Sequence, residues 1–252
     1  MENSLSWFKS NQLVANPGKF KLMFLGMNER KLGLFIDKNL IMPSKSVKLL
    51  GITIDKELKF DIHINNICKQ ANKKLFCLYR IRKFLDENQA LRLCNAFVLS
   101  NFNYCPLIWM YCNKTLNSKI NRVHKRALRA ATGAYENSLD ELLSLDKGLM
   151  IHSRNLQALL VEIYKSFYGS NSHIMRSLFH LKITPYSLRT SCLLSLPPTK
   201  SIRFGTNSLL FRGSQLWNSL PDSIKKSNSI EVFKQNVASC VGLKCLCPLC
   251  KD

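Results

Sequence analysis

Acidic residues are scarce in this sequence. The 252 residues include only 16 Asp and Glu against 37 Lys and Arg, which gives a net charge of +21 at pH 7. Glycine and proline are also few, at 10 and 8 residues, and this excludes collagen and low-complexity chains. Because 46% of the residues are hydrophobic, the chain can bury a core in one or two domains. So basic a fold favours a polyanionic partner, and nucleic acid is the first choice because binding releases counterions from its phosphates.

Long hydrophobic runs and an export pattern are lacking too. The nearest apolar run, at 102–112, is interrupted by Asn103 and Pro106 and is shorter than the ~20 residues of a membrane-spanning helix. The first residues, MENSLSWFKSN, lack the basic and then apolar order of a signal peptide. We therefore expect an intracellular protein that is not secreted and has no membrane partner. Its 10 cysteines are then expected to be reduced.

Catalytic motifs are missing as well. The sequence contains no Asp-Asp pair and no H-E-x-x-H, G-x-x-x-x-G-K-[ST] or G-x-S-x-G motif. Isolated carboxylates such as Asp55, Asp61 and Asp146 are typical of helix caps and turns. The five histidines show no ligand spacing with acidic residues or cysteines. We assign no catalytic residue and no histidine ligand.

The hydrophobic spacing predicts an α+β fold that is mostly helical. In residues 1–60, apolar runs at 20–25, 32–36 and 47–54 are separated by turn residues, which indicates short β-ribbons. From Asp61 onwards the period becomes helical. The predicted divisions are 1–60, a helical part at 61–135, a second helical part at 136–183, an irregular region with one short helix at 184–239, and a Cys-rich tail at 240–252.

Individual helices follow from apolar stripes and end signals. The first begins at Asp61 and carries an apolar stripe formed by Ile64, Ile67, Ala71, Leu75 and Leu78. Asp86 and Gln89 resemble a capping box that opens a helix running to about Tyr104. Further helices are predicted from Thr115 to Gly133, over 139–168, and over 229–239 with Val232, Phe233 and Val237 facing inward.

The predicted helix at 115–132 is strongly basic. One face is apolar, and cations occupy the rest of the circumference, namely Lys119, Arg122, Lys125, Arg126 and Arg129. The pattern fits either a solvated charged face or a phosphate-binding ridge. Since no acidic residue lies between Cys112 and Tyr135 to neutralise the cations, we favour phosphate contact. Lys69 and Lys73 on the preceding helix are further candidates.

The tail contains four cysteines within eleven residues: Cys240, Cys245, Cys247 and Cys250. Thiolates are good tetrahedral zinc ligands, but only one residue separates Cys245 from Cys247 and no second ligand pair faces them across a loop. Reduced, partly exposed thiols are therefore the expected state, and zinc binding is the alternative.

The order of several segments resembles the reverse transcriptases of LINE-type, jockey-like non-LTR retrotransposons. The segments are WFKSNQLVANPGK at Trp7–Lys19, VKLLGITID at Val47–Asp55, YCPLIW at Tyr104–Trp109, NRVHKRALR at Asn121–Arg129 and WNSLP at Trp217–Pro221, followed by Phe233 and Lys234. This resemblance covers nearly the whole chain. It implies a palm remnant at 1–60 with a primer-grip-like ribbon at Leu49, Leu50 and Gly51, a helical thumb at 61–135 and a connector at 136–183.

In that family, palm aspartates that precede the first of these segments hold two Mg²⁺ ions. The resemblance therefore implies that this chain is a non-catalytic C-terminal part of an RNA-directed DNA polymerase. We expect no cofactor in this chain, with Mg²⁺ needed only by the full-length enzyme. The expected partners are RNA or an RNA–DNA hybrid, bound without sequence specificity, and a catalytic polymerase. The life cycle of the family also implies residence in the nucleus or the cytoplasm.

Two other interpretations of the function stay open. The sequence is also consistent with a gene-model or pseudogene fragment that has inherited its basicity without any independent function. It is consistent, in addition, with a Cys-rich interaction module that zinc binding at the tail assists.

Overall fold

The computed structural model describes residues 2–14, 16–26, 33–36, 39–146, 148–169, 171–182, 192–240, 245–247 and 249–250. The chain divides into two compact units, Met1–His63 and Ile64–Asp252. The described part of the chain is 58% helical, with two small two-stranded antiparallel sheets, which confirms the predicted α+β, mostly helical class. None of the helices in the described part of the chain has the length and hydropathy needed to cross a bilayer.

The first unit contains helix α1 (Glu2–Ser10) and two β-hairpins. Strand β1 (Leu34–Ile36) pairs with β2 (Asn39–Ile41), and β3 (Ser46–Leu49) pairs with β4 (Ile52–Asp55). The apolar run at 47–54 is therefore a hairpin and not one strand. Its turn residues, Leu50 and Gly51, both have positive φ (45° and 88°), as two-residue hairpin turns require. The predicted strand at 20–25 is wrong, because only Leu22 forms a bridge there, to Pro43.

Asp55 connects the last strand to the first long helix, α2 (Asp61–Ile81). Its carboxylate accepts backbone N–H bonds from Glu57, Lys59 and Phe60 at 3.0, 3.1 and 2.7 Å. This role as a turn residue is the one that the sequence indicated. The predicted apolar stripe of α2 is buried at Ile64, Ala71, Leu75 and Leu78.

Helix α3 (Glu87–Leu93) begins with the predicted capping box. Gln89 N donates to Asp86 Oδ1 at 2.8 Å, and Asp86 N donates to Gln89 Oε1 at 3.2 Å. The α-helix does not continue to Tyr104, because a π-helical segment (Cys94–Val98) and a 3₁₀ segment (Leu99–Phe102) follow it. Pro106, which interrupts the apolar run at 102–112, opens the short helix α4 (Pro106–Trp109), as proline can at a first helical position.

Helix α5 (Lys114–Thr132) confirms the basic helix. The side chain of Asn113 accepts the N–H of Leu116 at 2.9 Å at its start, and Gly133, with φ of 77°, follows its end. The helix packs against α3, the π-helical segment, α6 (Leu139–Asp146) and α7 (Ile151–Phe167). Its buried face consists of Leu116, Ile120, Val123, His124, Ala127, Leu128, Ala130 and Ala131.

The later helices pack around α7. They are α8 (His173–Arg176), α9 (Leu209–Asn218), α10 (Asp222–Lys225) and α11 (Ile230–Ser239). The region 184–239, expected to be irregular with one short helix, therefore contains three α-helices in its described part, and its residues 184–191 lie outside the described residues. On α11, Phe233 and Val237 are buried as predicted, but Val232 is 43% exposed. Trp217 and Phe233 pack with Leu159 and Tyr164 of α7 in one apolar core.

His124 is the histidine of helix α5. It is fully buried, and neither ring nitrogen has a hydrogen-bond partner among the described residues. Burial first, and the charge of Arg154 second, lower the pKa of His124 from 6.5 to about 4. The folded protein therefore keeps this imidazole neutral under conditions in which the unfolded chain protonates it.

We expect the protein to lose stability as the pH falls from about 6.5 to about 4. In this window the unfolded chain binds a proton at His124 that the folded protein excludes, so acid favours unfolding, whereas above the window the contribution is constant. Over the window, the free energy of unfolding should fall by up to about 3 kcal/mol more in wild type than in His124→Leu. Urea denaturation at a series of pH values measures this difference, and parallel curves for the two proteins would contradict it.

Candidate nucleic-acid groove and histidine–cysteine cluster

Helices α2 and α5 form the two walls of an open groove of about 550 Å³ on the surface of the second unit. Each helix buries its apolar stripe, so its cations lie on the remaining face. The described lining contains five cations and no acidic residue. It consists of Asn65, Cys68, Lys69, Asn72, Lys73 and Phe76 from α2, and Lys119, Arg122, Val123 and Arg126 from α5. We call this surface the basic groove.

Two hydrogen bonds cross the basic groove. Lys119 Nζ donates to Asn65 Oδ1, and Arg126 donates from one guanidinium nitrogen to Asn72 Oδ1, both at 2.9 Å. Each pair is separated by 54 positions in the chain, so the two helices run in the same direction. Both bonds are exposed and use neutral acceptors. These bonds therefore hold Lys119 and Arg126 in place and leave their positive charges available to an anion.

Two further residues define the character of the basic groove. The ring of Phe76 is 70% exposed beside the cations, which gives an anionic ligand an aromatic surface on which to stack. Cys68 lies buried in the lining. Burial raises its pKa to about 11, although the charges of Lys119 and Arg126 act in the opposite direction. The thiol is therefore neutral at physiological pH, and the groove contains no thiolate nucleophile among its described residues.

The structure brings together five of the seven cations singled out in the sequence, and leaves two outside. Lys69, Lys73, Lys119, Arg122 and Arg126 line the basic groove, whereas Lys125 and Arg129 do not. Arg129 is half-buried and donates to the backbone oxygen of Asn137 at 3.0 Å. Arg129 therefore ties the loop after α5 to the helix.

The primer-grip-like residues lie at the tip of the β3–β4 hairpin in the first unit. Leu49 and Leu50 are exposed there, Leu50 to 82%, and Gly51 completes the turn. The two leucines present apolar side chains to solvent. The assignment of a primer grip to this turn stays a prediction.

A second cluster joins the Cys-rich tail to helix α7. Cys247 Sγ lies 3.3 Å and Cys245 Sγ 4.0 Å from His152 Nε2, and the sulfurs of Cys247 and Cys250 are 3.7 Å apart. All four ligand atoms lie within 4.8 Å of one another. His152, Cys245 and Cys247 are buried, and Cys250 is exposed. We call these four residues the His-Cys cluster.

The members of the His-Cys cluster influence one another electrostatically. Burial lowers the pKa of His152, but hydrogen bonds with Cys245 and Cys247 outweigh it and raise the pKa to about 9. Hydrogen bonds with Cys245 and Cys250 lower the pKa of the Cys247 thiol. Tyr111 packs edge-on against the imidazole, with the ring centroids 6.3 Å apart. The cluster thus favours a Cys247 thiolate beside the His152 imidazolium. Once the imidazolium has lost its proton, both groups are donors that soft metal ions prefer.

Sequence spacing did not reveal the histidine of this cluster. His152 precedes Cys245 by 93 positions, and no local motif connects residues so far apart. The sequence therefore offered no reason to assign chemistry to His152, which lies on helix α7 next to the tail. Cys240, which the sequence placed with the other tail cysteines, ends α11 and is not part of the cluster among the described residues.

Comparison with protein-family models, with curated proteins and with solved structures finds no match to this chain. The resemblance to retrotransposon reverse transcriptases therefore stays a prediction from the sequence. The basic groove and the His-Cys cluster are the two arrangements of side chains from which a function can be inferred.

The contrast between Arg129 and Arg126 can be tested directly. Arg129→Ala should lower the free energy of unfolding by about 1–2 kcal/mol, because it removes a half-buried, charge-assisted bond to the backbone. Arg126→Ala is the matched control, one helical turn earlier and exposed, and should change stability by less than about 0.5 kcal/mol. Urea denaturation at neutral pH gives both values. Equal losses would show that Arg126 also stabilises the fold.

Proposed function

We propose that this chain binds template–primer nucleic acid, either RNA or an RNA–DNA hybrid, in the basic groove without sequence specificity. One observation supports the proposal. Five cations from two helices line the same groove, and its described lining contains no acidic residue. Neutralising phosphates with these cations releases condensed counterions, which is the main sequence-independent source of affinity for nucleic acid.

The dimensions of the basic groove suit a phosphate backbone. Lys119 and Arg126 are seven residues apart on one helix, a rise of about 10 Å. One nucleic-acid strand advances about 3.4 Å per phosphate, so the row of cations on α5 spans about three phosphates. Lys69 and Lys73 supply a second row on α2. A hybrid duplex close to A-form is recognised mostly through its shape and its backbone, which lysine and arginine can contact without reading base edges.

The resemblance in sequence gives this binding activity a context. We propose that the chain is the non-catalytic C-terminal part, with palm remnant, thumb and connector, of a retrotransposon RNA-directed DNA polymerase. In that context the basic groove would hold the template–primer duplex while a catalytic polymerase segment adds nucleotides. Phe76 would stack on a base or sugar beside the phosphates.

Neutralising the basic groove should abolish most of the binding. In the variant Lys69→Ala, Lys73→Ala, Arg122→Ala and Arg126→Ala, we expect the slope of log affinity against log salt for an RNA–DNA hybrid to become less negative by about 3–4. All four side chains are exposed, so the fold should survive. Fluorescence anisotropy with a labelled hybrid at several salt concentrations measures the slope.

A charge-matched variant provides the control. Replacing four exposed lysines outside the basic groove with alanine, at Lys182, Lys200, Lys226 and Lys234, removes the same net charge. This control should retain most of the affinity, and its affinity should depend more steeply on salt than that of the groove variant. An equal loss in both variants would mean that net charge alone attracts the nucleic acid and that the groove is not the site. A second hybrid of unrelated sequence should bind wild type equally well.

A further inference from the structure

We propose that the His-Cys cluster binds one Zn²⁺ ion, which attaches the Cys-rich tail to helix α7. The ligands are His152 Nε2 and the sulfurs of Cys245, Cys247 and Cys250. This site is independent of the basic groove, because none of its residues lines that surface.

The distances within the cluster match a tetrahedral ion. Zn–S bonds of about 2.3 Å place neighbouring sulfurs of a tetrahedron about 3.8 Å apart, and the shorter Zn–N bond brings sulfur and nitrogen to about 3.5 Å. The corresponding distances here are 3.7 Å for Cys247 to Cys250, and 3.3 and 4.0 Å from His152 to Cys247 and Cys245. All four ligand atoms lie within 4.8 Å of one another, so shifts of up to about 1 Å bring them to tetrahedral separations.

The donor set selects the ion. Three sulfurs and one imidazole suit Zn²⁺ and are poor ligands for Mg²⁺, Ca²⁺ or Mn²⁺, which prefer oxygen. Four protein ligands close the coordination sphere, so the ion is structural and has no open position for a substrate. The four ligand atoms lie within 4.8 Å of one another. This separation fits one ion and is too small for the several metal ions of an iron–sulfur cluster.

Proton and charge balance are straightforward. On binding, the His152 imidazolium and each thiol that is still protonated release their protons to solvent, and His152 then coordinates through the lone pair of neutral Nε2. Three thiolates, one imidazole and Zn²⁺ give a net charge of −1. Arg212 of α9 lies beside this charge, because it donates to the backbone oxygen of Leu246, between two of the ligands, at 2.8 Å.

Zinc would act here as a long-range crosslink. Cys245 and Cys247 are buried in the same apolar core as Leu156 and Trp217, and His152 belongs to the first turn of α7. An ion that joins positions 93 residues apart closes a large loop of the unfolded chain. Its binding free energy then adds to the stability of the folded second unit.

The test uses the full chain, purified under reducing conditions without chelator. We expect one zinc ion per chain by elemental analysis, and Co²⁺ should replace it with the absorption of a tetrahedral, thiolate-ligated ion. Cys250→Ser is the main variant, because its side chain is exposed and its replacement leaves the buried apolar core unchanged. Losing an outer-shell partner of a zinc ligand costs 10–100-fold in affinity, so loss of this ligand should cost roughly 100-fold or more in chelator competition.

Cys240→Ser is the matched control and should bind zinc as tightly as wild type. Chelator should lower the melting temperature of wild type and of Cys240→Ser, and have little effect on Cys250→Ser. Circular dichroism of each variant verifies the fold. The proposal is overturned by substoichiometric zinc, by equal affinities of the two serine variants, by iron in place of zinc, or by a Cys247–Cys250 disulfide in the reduced preparation.

Discussion

The burial of one face of α5 is the constraint on which the second unit depends. Eight residues of this helix lie inside the fold, against α3, α6, α7 and the π-helical segment. A helix that buries so wide a stripe must place its remaining side chains on the opposite side. In α5 those side chains are mostly cations, and no acid interrupts them. The parallel helix α2 obeys the same constraint and supplies the other wall, so the basic groove follows from packing two amphipathic helices.

Helix α7 links this surface to the rest of the unit. It packs against α5 on one side and against α9 and α11 on others, and its Tyr164 donates to the backbone oxygen of Ser227 at 2.6 Å. His152 in its first turn meets the tail. A zinc ion there would fix the tail to the helix around which the later helices pack. The basic groove and the His-Cys cluster thus have different physical origins, since one arises from helix amphipathicity and the other from a long-range approach of chain segments.

Local chemistry explains what the sequence predicted well. The capping box at Asp86, the glycine after Thr132 and the apolar stripe of α2 act within a few residues, and the structure contains each of them. The sequence predicted that Lys69 and Lys119 contact phosphate, but it did not predict that they lie in one groove. Their proximity results from the tertiary packing of two helices. The resemblance implied a ribbon at Leu49–Gly51, but the apolar run at 47–54 did not by itself reveal a turn, because leucine rarely adopts the positive φ that Leu50 has. His152 was missed because no periodicity connects positions 93 residues apart.

Nuclear magnetic resonance mapping of an RNA–DNA hybrid on the full chain tests the central claim most directly, because it locates the ligand without altering any residue. We expect the largest shift changes at Asn65–Phe76 of α2 and Lys119–Arg126 of α5, with the side-chain signals of Arg122 and Arg126 among them. Little change is expected at the His-Cys cluster. Shift changes concentrated on other surfaces, or spread evenly over all exposed lysines, would contradict the basic groove as the nucleic-acid site.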